Sequence, residues 1–188
     1  LIGDYNLINM NAARAIALEF KVSAKQIDVS ISTYKPANMR SQQIHSKLTG
    51  NRILLDAYNA NPSSMPVAID AFLQSVPLHK VLNLMPCMIL GDMRELGKET
   101  KIEHENLIKY AQKQAKSHGA RIIFIGEELA KASARISKKA AKKPAKKSPT
   151  SFFFKSKEDF LESDTLKTLQ DRSNPTYIFI KGSRGIKL

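Results

Sequence analysis

Cysteine and acidic residues are scarce in this chain. There is one Cys, and 17 Asp and Glu stand against 30 Lys and Arg. A lone cysteine excludes a disulfide framework and a Cys-rich zinc site. Cys87 lies in the apolar run 81–90 and reads as a small core residue. No apolar run is long enough to cross a bilayer, and no signal peptide opens the sequence. No membrane insertion is expected, and the expected location is cytoplasmic. His45, His79, His104 and His118 are scattered, with no HExxH or paired Cys/His spacing, so no metal site is expected in these residues. A phosphate-cradling P-loop is missing too. Gly97-Lys98 is followed by Glu99 where Ser or Thr is needed, and Asp92 stands where a glycine is needed.

What the chain does have is positive charge, a net +13. Such a balance favours anionic partners: a nucleotide, nucleic acid or a phosphorylated substrate. The excess is uneven. Residues 138–149 hold only lysine, alanine, proline and serine. That block cannot bury a core, and its charges repel one another, so it reads as an inserted surface loop. A basic tract can hold nucleic acid without sequence preference. One reading is therefore a stand-alone nucleotide- or nucleic-acid-binding α/β module acting through the tract. A solvated insertion with no specific partner accounts for it equally simply, and is preferred.

The length fits one domain, or one domain and a piece of a second. The chain starts Leu1-Ile2-Gly3 without Met, and the expectation is a fragment of a longer protein. Asp4 or Asn6 can cap a first helix with Leu7, Met10, Ala13, Ile16 and Ala17 on one side. A second helix starts at Ser23, with Ile27 and Ile31 inward. The natural partner of both is expected upstream of Leu1. Residues 34–40, with Pro36, read as a linker. Loose alternation over 43–48, a turn at Gly50-Asn51 and a return over 52–56 predict an antiparallel hairpin. Strands and helices then alternate. Helices are expected over 63–75, 101–117, from 127, and over 157–169. Ile102, Leu107, Ile108, Ala111 and Ala115 are expected on the inner face of the second of these. Strands are expected within 80–90 and over 121–125, 152–154 and 176–180. Repeated βα units imply an α/β fold with a doubly wound, mostly parallel sheet.

The rest is organised around Asp56-Ala57-Tyr58-Asn59-Ala60-Asn61-Pro62-Ser63-Ser64-Met65. The apolar run 53–55 precedes it. Val67, Ala68, Ala71 and Phe72 follow at helical spacing. A strand ending in an acid, a polar loop and a helix make a binding layout, because ligands of open α/β sheets sit at the carboxyl ends of strands. Asn59 and Asn61 can donate and accept, and Ser63 or Ser64 can cap the helix. An ordinary capped connection fits the same residues. A second such loop is Leu90-Gly91-Asp92-Met93-Arg94-Glu95-Leu96-Gly97, on the same expected edge. His104, early in the following helix, has the best claim of the four histidines to face the crevice. The third loop, Lys181-Gly182-Ser183-Arg184-Gly185, combines cations, a hydroxyl and glycines suited to an anion. The fourth place is the polar helix start from Gly3 to Ala13. Each reads alternatively as a polar turn or a plain cap.

At these four places the sequence resembles the Mur ligases. Within them it resembles the MurF type, the branch that adds D-alanyl-D-alanine to UDP-N-acetylmuramoyl-tripeptide in peptidoglycan synthesis. The motifs are Gly-x-x-Asn-Leu-x-Asn-x-x-Ala-Ala, Asp-x-Tyr-Asn-Ala-Asn-Pro-x-Ser-Met, Leu-Gly-Asp-Met-x-Glu-Leu-Gly with a following His, and Lys-Gly-Ser-Arg-Gly. Tyr5 stands where the family often has His. The resemblance implies that residues 1–38 are the tail of a central ATPase domain plus linker. It implies a Rossmann-like C-terminal domain over 39–188. The reaction it implies is one in which ATP phosphorylates the tripeptide carboxylate, the dipeptide amine attacks the acyl phosphate, and phosphate leaves. Carried over by position, Asn6 and Asn9 lie near adenine, Arg40 reaches the ATP phosphates and Asp56 holds the ribose. Tyr58, Asn59 and Asn61 line the closing face. By charge and place, Lys181, Ser183 and Arg184 are candidates for the dipeptide carboxylate or the intermediate. The family's P-loop and Mg ligands are expected upstream, so this fragment alone is expected to be inactive. It is expected to pack on its own upstream domains.

Overall fold

The computed structural model describes residues 3, 5–80, 83–140, 151–186 and 188. Two helices, α1 (Tyr5–Glu19) and α2 (Ala24–Thr33), come first. Ser23 caps α2, with Gln26 closing a reciprocal capping box, as its spacing predicts. Ile27 is buried, and an Arg14–Asp28 ion pair ties the two helices together. Leu7 and Ile16, expected on one side of α1, are more than half exposed.

After the linker the hairpin forms as expected, β1 (Gln42–His45) against β2 (Arg52–Asp56). Then follow α3 (Ser64–Lys80), β3 (Met85–Gly91), α4 (Thr100–His118), β4 (Arg121–Ile125) and α5 (Glu127–Ala140). The chain ends with β5 (Ser151–Phe154), α6 (Lys157–Leu161), α7 (Asp164–Leu169) and β6 (Thr176–Lys181). The sheet order is β1-β2-β6-β3-β4-β5, and every pair but the hairpin is parallel. This is the doubly wound, mostly parallel sheet with an antiparallel edge that the sequence predicts.

Both faces of the sheet are covered, which is why its central strands read as continuous apolar runs. On one side α3, α4 and α5 pack Phe72, Leu107, Ile108 and Leu129 on Met88, Phe124 and Phe179. On the other, Phe160 and Leu169 of the short helices cover Cys87, Ile89, Ile123 and Ile178. Burial pushes the Cys87 thiol up to about 12, so it is inert core. Phe72 anchors the larger layer, with ring centroids 4.7 Å from Tyr177 and 5.2 Å from Phe179.

Four expectations are corrected. Ile102 is exposed, and His104 takes the buried place on its side of α4. Val67 is half exposed beside a cleft rather than in the core. The predicted 157–169 helix is two helices, because the Ser163 side chain caps a new start by accepting from the Leu166 N–H. The basic insert begins later than position 138. Lys138 and Lys139 belong to α5, and Lys139 reaches Glu105 of α4 at 2.8 Å. The remainder of the tract, 141–149, lies outside the described residues.

Glu105 is buried between those helices and also accepts from Arg135 at 2.8 Å. Hydrogen bonds from Lys139 and then Arg135 hold its carboxyl at about 2, below its ordinary 4.5. A depressed carboxyl stabilises the fold above its unfolded value and stops doing so as pH falls through its folded one. Glu105→Gln is therefore expected to unfold at lower urea than wild type at pH 7. The gap should shrink below about pH 4.5 and close near pH 2. Urea midpoints of both proteins across that range check it.

Candidate functional site

Strand register brings the chemistry to one edge. Asp56 pairs with Lys181, and Lys181 with Leu90, so β2, β6 and β3 end level. Their three following loops therefore share a rim, as ligand sites on open sheets require. Hydrogen bonds stitch the loops together. Lys181 Nζ donates to Asp56 Oδ2 at 2.6 Å and to the Asn59 carbonyl at 3.0 Å. The Ser183 N–H donates to the Asp92 carbonyl at 3.1 Å, and the Arg94 N–H to Ser183 Oγ at 3.0 Å. Ser183 Oγ in turn donates to the Ala60 carbonyl at 3.4 Å.

Several predicted site residues turn out to be framework. The Lys181 side chain is 5% exposed and its ammonium is committed to Asp56 and Asn59. It holds β2, β6 and the Asn loop rather than offering a free cation to a carboxylate. Asp56 also accepts the Ser41 N–H at 3.2 Å, which ties the linker to the rim. Asn61 accepts from the Ser64 N–H and from Ser63 Oγ, both at 2.8 Å. The start of α3 is thus held by Asn61, where Ser63 or Ser64 is expected. Asn59 Oδ1 accepts from the next residue's amide at 2.8 Å, and the residue stands exposed on the loop.

Exposed Arg40 and Arg184 both lie against the half-buried Tyr58 ring. The Arg40 guanidinium lies 3.8 Å from the Tyr58 ring centroid, and that of Arg184 at 5.8 Å. The Tyr58 N–H donates to the Met39 carbonyl at 3.3 Å, so loop and linker are joined twice. Asn38, Met39 and Ser41 have φ of +56°, +56° and +48°, left-handed backbone that ordinary residues rarely adopt. Strain of this kind gathers at ligand clamps and hinges.

A cleft of about 700 Å³ lies between this rim and the first two helices. Asn6, Asn9, Tyr34, Arg40, Asp56 and Lys181 contribute to its wall. Met10, Ile31 and Val67 supply apolar surface, which is why Val67 is not in the core. Sequence reasoning missed Tyr34, Ser41 and Val67, whose places depend on how the linker folds back. Among the described residues no group of three or more His, Cys, Asp or Glu is placed to hold a metal ion.

The Asp92 loop is buttressed from behind. The Asp92 carboxylate accepts from the Glu128 N–H at 3.0 Å and the Leu129 N–H at 2.9 Å, and so caps α5. Burial pushes its carboxyl above the usual range, against the pull of those amides. Gly126 has φ +143°, and a Cβ there would overlap the Asp92 carboxylate. His104 does not face the crevice, contrary to expectation. It is fully buried and bonded to Met93 and Thr100, because its two ring nitrogens match two nearby backbone groups.

Comparison with known proteins agrees with this architecture. The family model for the Mur ligase, glutamate ligase domain, matches residues 39–184. The UDP-N-acetylmuramoyl-tripeptide–D-alanyl-D-alanine ligase of Buchnera aphidicola is 29% identical across 100% of this chain. Among solved structures, MurF from Acinetobacter baumannii superposes with a TM-score of 0.75 at 25% identity, covering 98% of this chain and 36% of that one. MurF ligase from Thermotoga maritima, in complex with ADP, shares the fold with a TM-score of 0.66 at 18% identity, covering 96% and 35%. The chain spans only 21% to 36% of the length of curated relatives it matches. A family match over most of the chain, on the fold and rim described, places it: the chain belongs to the Mur ligase family and carries that family's glutamate ligase domain.

Proposed function

We propose that this chain is the C-terminal part of a cytoplasmic, ATP-dependent amide-bond ligase. It would join D-alanyl-D-alanine to UDP-N-acetylmuramoyl-tripeptide in peptidoglycan precursor synthesis. Residues 1–38 would be the end of the central ATPase domain and its linker, and 39–188 the C-terminal domain. The observation that carries the reading is the single rim formed after β2, β3 and β6 around a cleft walled by Asn6, Asn9, Arg40 and Asp56. The names of the relatives and the ADP complex of one neighbour support it.

In this reading the cleft takes the nucleotide. Asn6 and Asn9 offer amide donors and acceptors to the adenine edge from α1. Asp56 keeps lone pairs free beyond its bonds to Lys181 and Ser41, enough to accept a ribose hydroxyl. Arg40 supplies a permanent cation for the phosphates, and stacking on Tyr58 holds it in place. Tyr58, Asn59 and Arg184 front the side where the acceptor dipeptide would enter, with Ser183 shaping the floor. An Mg ion, where bound, would supply neutralisation of phosphate charge. The described residues do not fit an Mg site, so no step here is assigned to it.

Catalysis by this chain is then positioning and charge stabilisation rather than bond-making by its side chains. In the full-length enzyme, Arg40→Ala is expected to raise KM for ATP about tenfold, with a smaller effect on KM for the dipeptide. Dipeptide-dependent phosphate release, measured at low and saturating ATP, tests this. Unchanged turnover at low ATP would remove Arg40 from the site.

A further inference from the structure

We propose that His104 is a positioning residue for the acceptor side of the rim: its neutral imidazole holds loop 92–95 in the shape that joins the loops after β2 and β6. The inference rests on the ligase reading above and adds to it a residue that touches no substrate.

The ring's protonation state follows from its partners. His104 is fully buried one turn into α4. Its Nε2 lies 3.1 Å from the Met93 amide nitrogen, and its Nδ1 2.6 Å from the Thr100 carbonyl oxygen. A backbone N–H can only donate, so Nε2 carries no proton. The proton is then on Nδ1, donated to Thr100. The ring is neutral and reads one donor and one acceptor at once. Asp92 does not compete for it. Its carboxylate oxygen is 3.7 Å from Nε2, beyond hydrogen-bond reach, and the group is committed to the amides of Glu128 and Leu129.

The loop that His104 holds has its bonds to three neighbours. Asp92 is fixed to α5 by its side chain and to Ser183 by its carbonyl. The Met93 amide goes to His104, and the next amide, Arg94, returns to Ser183 Oγ. Glu95 then turns with φ +64°, a strained value that persists only when its surroundings over-determine it. Met93 is itself buried, so without the imidazole its amide would lack a partner in the core. The loop would relax by rotating that amide outward. Rotation would carry away the Arg94 N–H, and with it the Ser183 hydroxyl that reaches Ala60. The nucleotide wall hangs on other elements: Asn6 and Asn9 on α1, Arg40 on the linker, Asp56 on β2. The disturbance should thus fall on acceptor binding and spare ATP.

The test uses the full-length enzyme. His104→Leu removes the acceptor, and His104→Gln keeps a carbonyl oxygen that can take the Met93 N–H. The leucine variant is expected to raise KM for the dipeptide about tenfold, with KM for ATP and kcat within about twofold. The glutamine variant is expected to recover to within about threefold of wild type. Equal rises in both KM values, or a glutamine variant no better than leucine, would overturn the proposal. If the leucine variant does not fold, ¹⁵N-histidine NMR of the wild-type protein decides. An unprotonated Nε2 coupled to the Met93 amide is expected, and a proton on Nε2 overturns it. Wild-type phosphate release without dipeptide dependence would instead sink the ligase reading and leave the tautomer result standing.

Discussion

Lys181→Ala is expected to lower the unfolding free energy by about 4 kcal/mol, the size typical when one partner of a buried ion pair is removed. The ammonium sits 2.6 Å from Asp56 and 3.0 Å from the Asn59 carbonyl, with side-chain exposures of 5% and 18% for the pair. Truncation leaves a carboxylate and a carbonyl desolvated without their donor. Urea denaturation with an unchanged slope measures the loss. A change under about 1 kcal/mol would mean that the pair behaves as a surface one. The double variant Asp56→Leu with Lys181→Met separates stability from function. Two apolar groups in place of a buried pair should recover most of the stability, whereas efficient ATP use should stay lost with the Asp56 carboxylate.

Gly126→Ala is expected to cost about 3 kcal/mol, combining backbone strain with damage to the cap of α5. The residue sits at φ +143°, and the new methyl would overlap the Asp92 carboxylate. Either the carboxylate moves, releasing the Glu128 and Leu129 amides, or β4 and α5 shift apart. Thermal melting of the variant gives the total. In an Asp92→Gly background the overlap disappears, and the remaining loss should be that of φ alone. An equal loss in both backgrounds would exclude the clash as the cause.

The fold was legible because period and punctuation agree. The strand 121–125 has the same limits in the sequence reading and the structure, since a continuous β-branched and aromatic run between Gly119 and Gly126 allows little else. The hairpin and the alternation of strands and helices are equally local signals. The meeting of three loops on one edge follows from parallel strands alone, so the rim could be expected before any side chain was placed. What each residue does on that rim was less legible. The Lys181–Asp56 bond joins residues 125 positions apart, and no local pattern announces it. Lys181 therefore reads as a free cation beside Ser183 and Arg184. His104 reads as a ligand because polarity suggests exposure. Its two ring nitrogens are met by two backbone groups, and the face of α4 that buries His104, Ile108 and Ala111 turns Ile102, two residues away, outward. At 157–169 a helical apolar spacing hides a Ser163 cap, because spacing does not register a break of one residue. The basic-module reading lost its footing for a different reason. The family match covers the loops the tract does not explain, and Lys138 and Lys139 are helix residues, the latter pairing with Glu105.

One outer strand bears on how copies of the protein behave together. β5, a four-residue strand carrying Phe152, Phe153 and Phe154, is the sheet edge among the described residues, paired there with β4. An aromatic edge strand is a template for self-association and, in crowded solution, for aggregation. In sequence, the lysine- and proline-rich residues 141–149 run directly toward that strand. Like charges on two approaching molecules repel before their edges can zip, and proline offers no amide to extend the pairing. Positive charge and proline next to such a strand in sequence are the composition that discourages edge pairing.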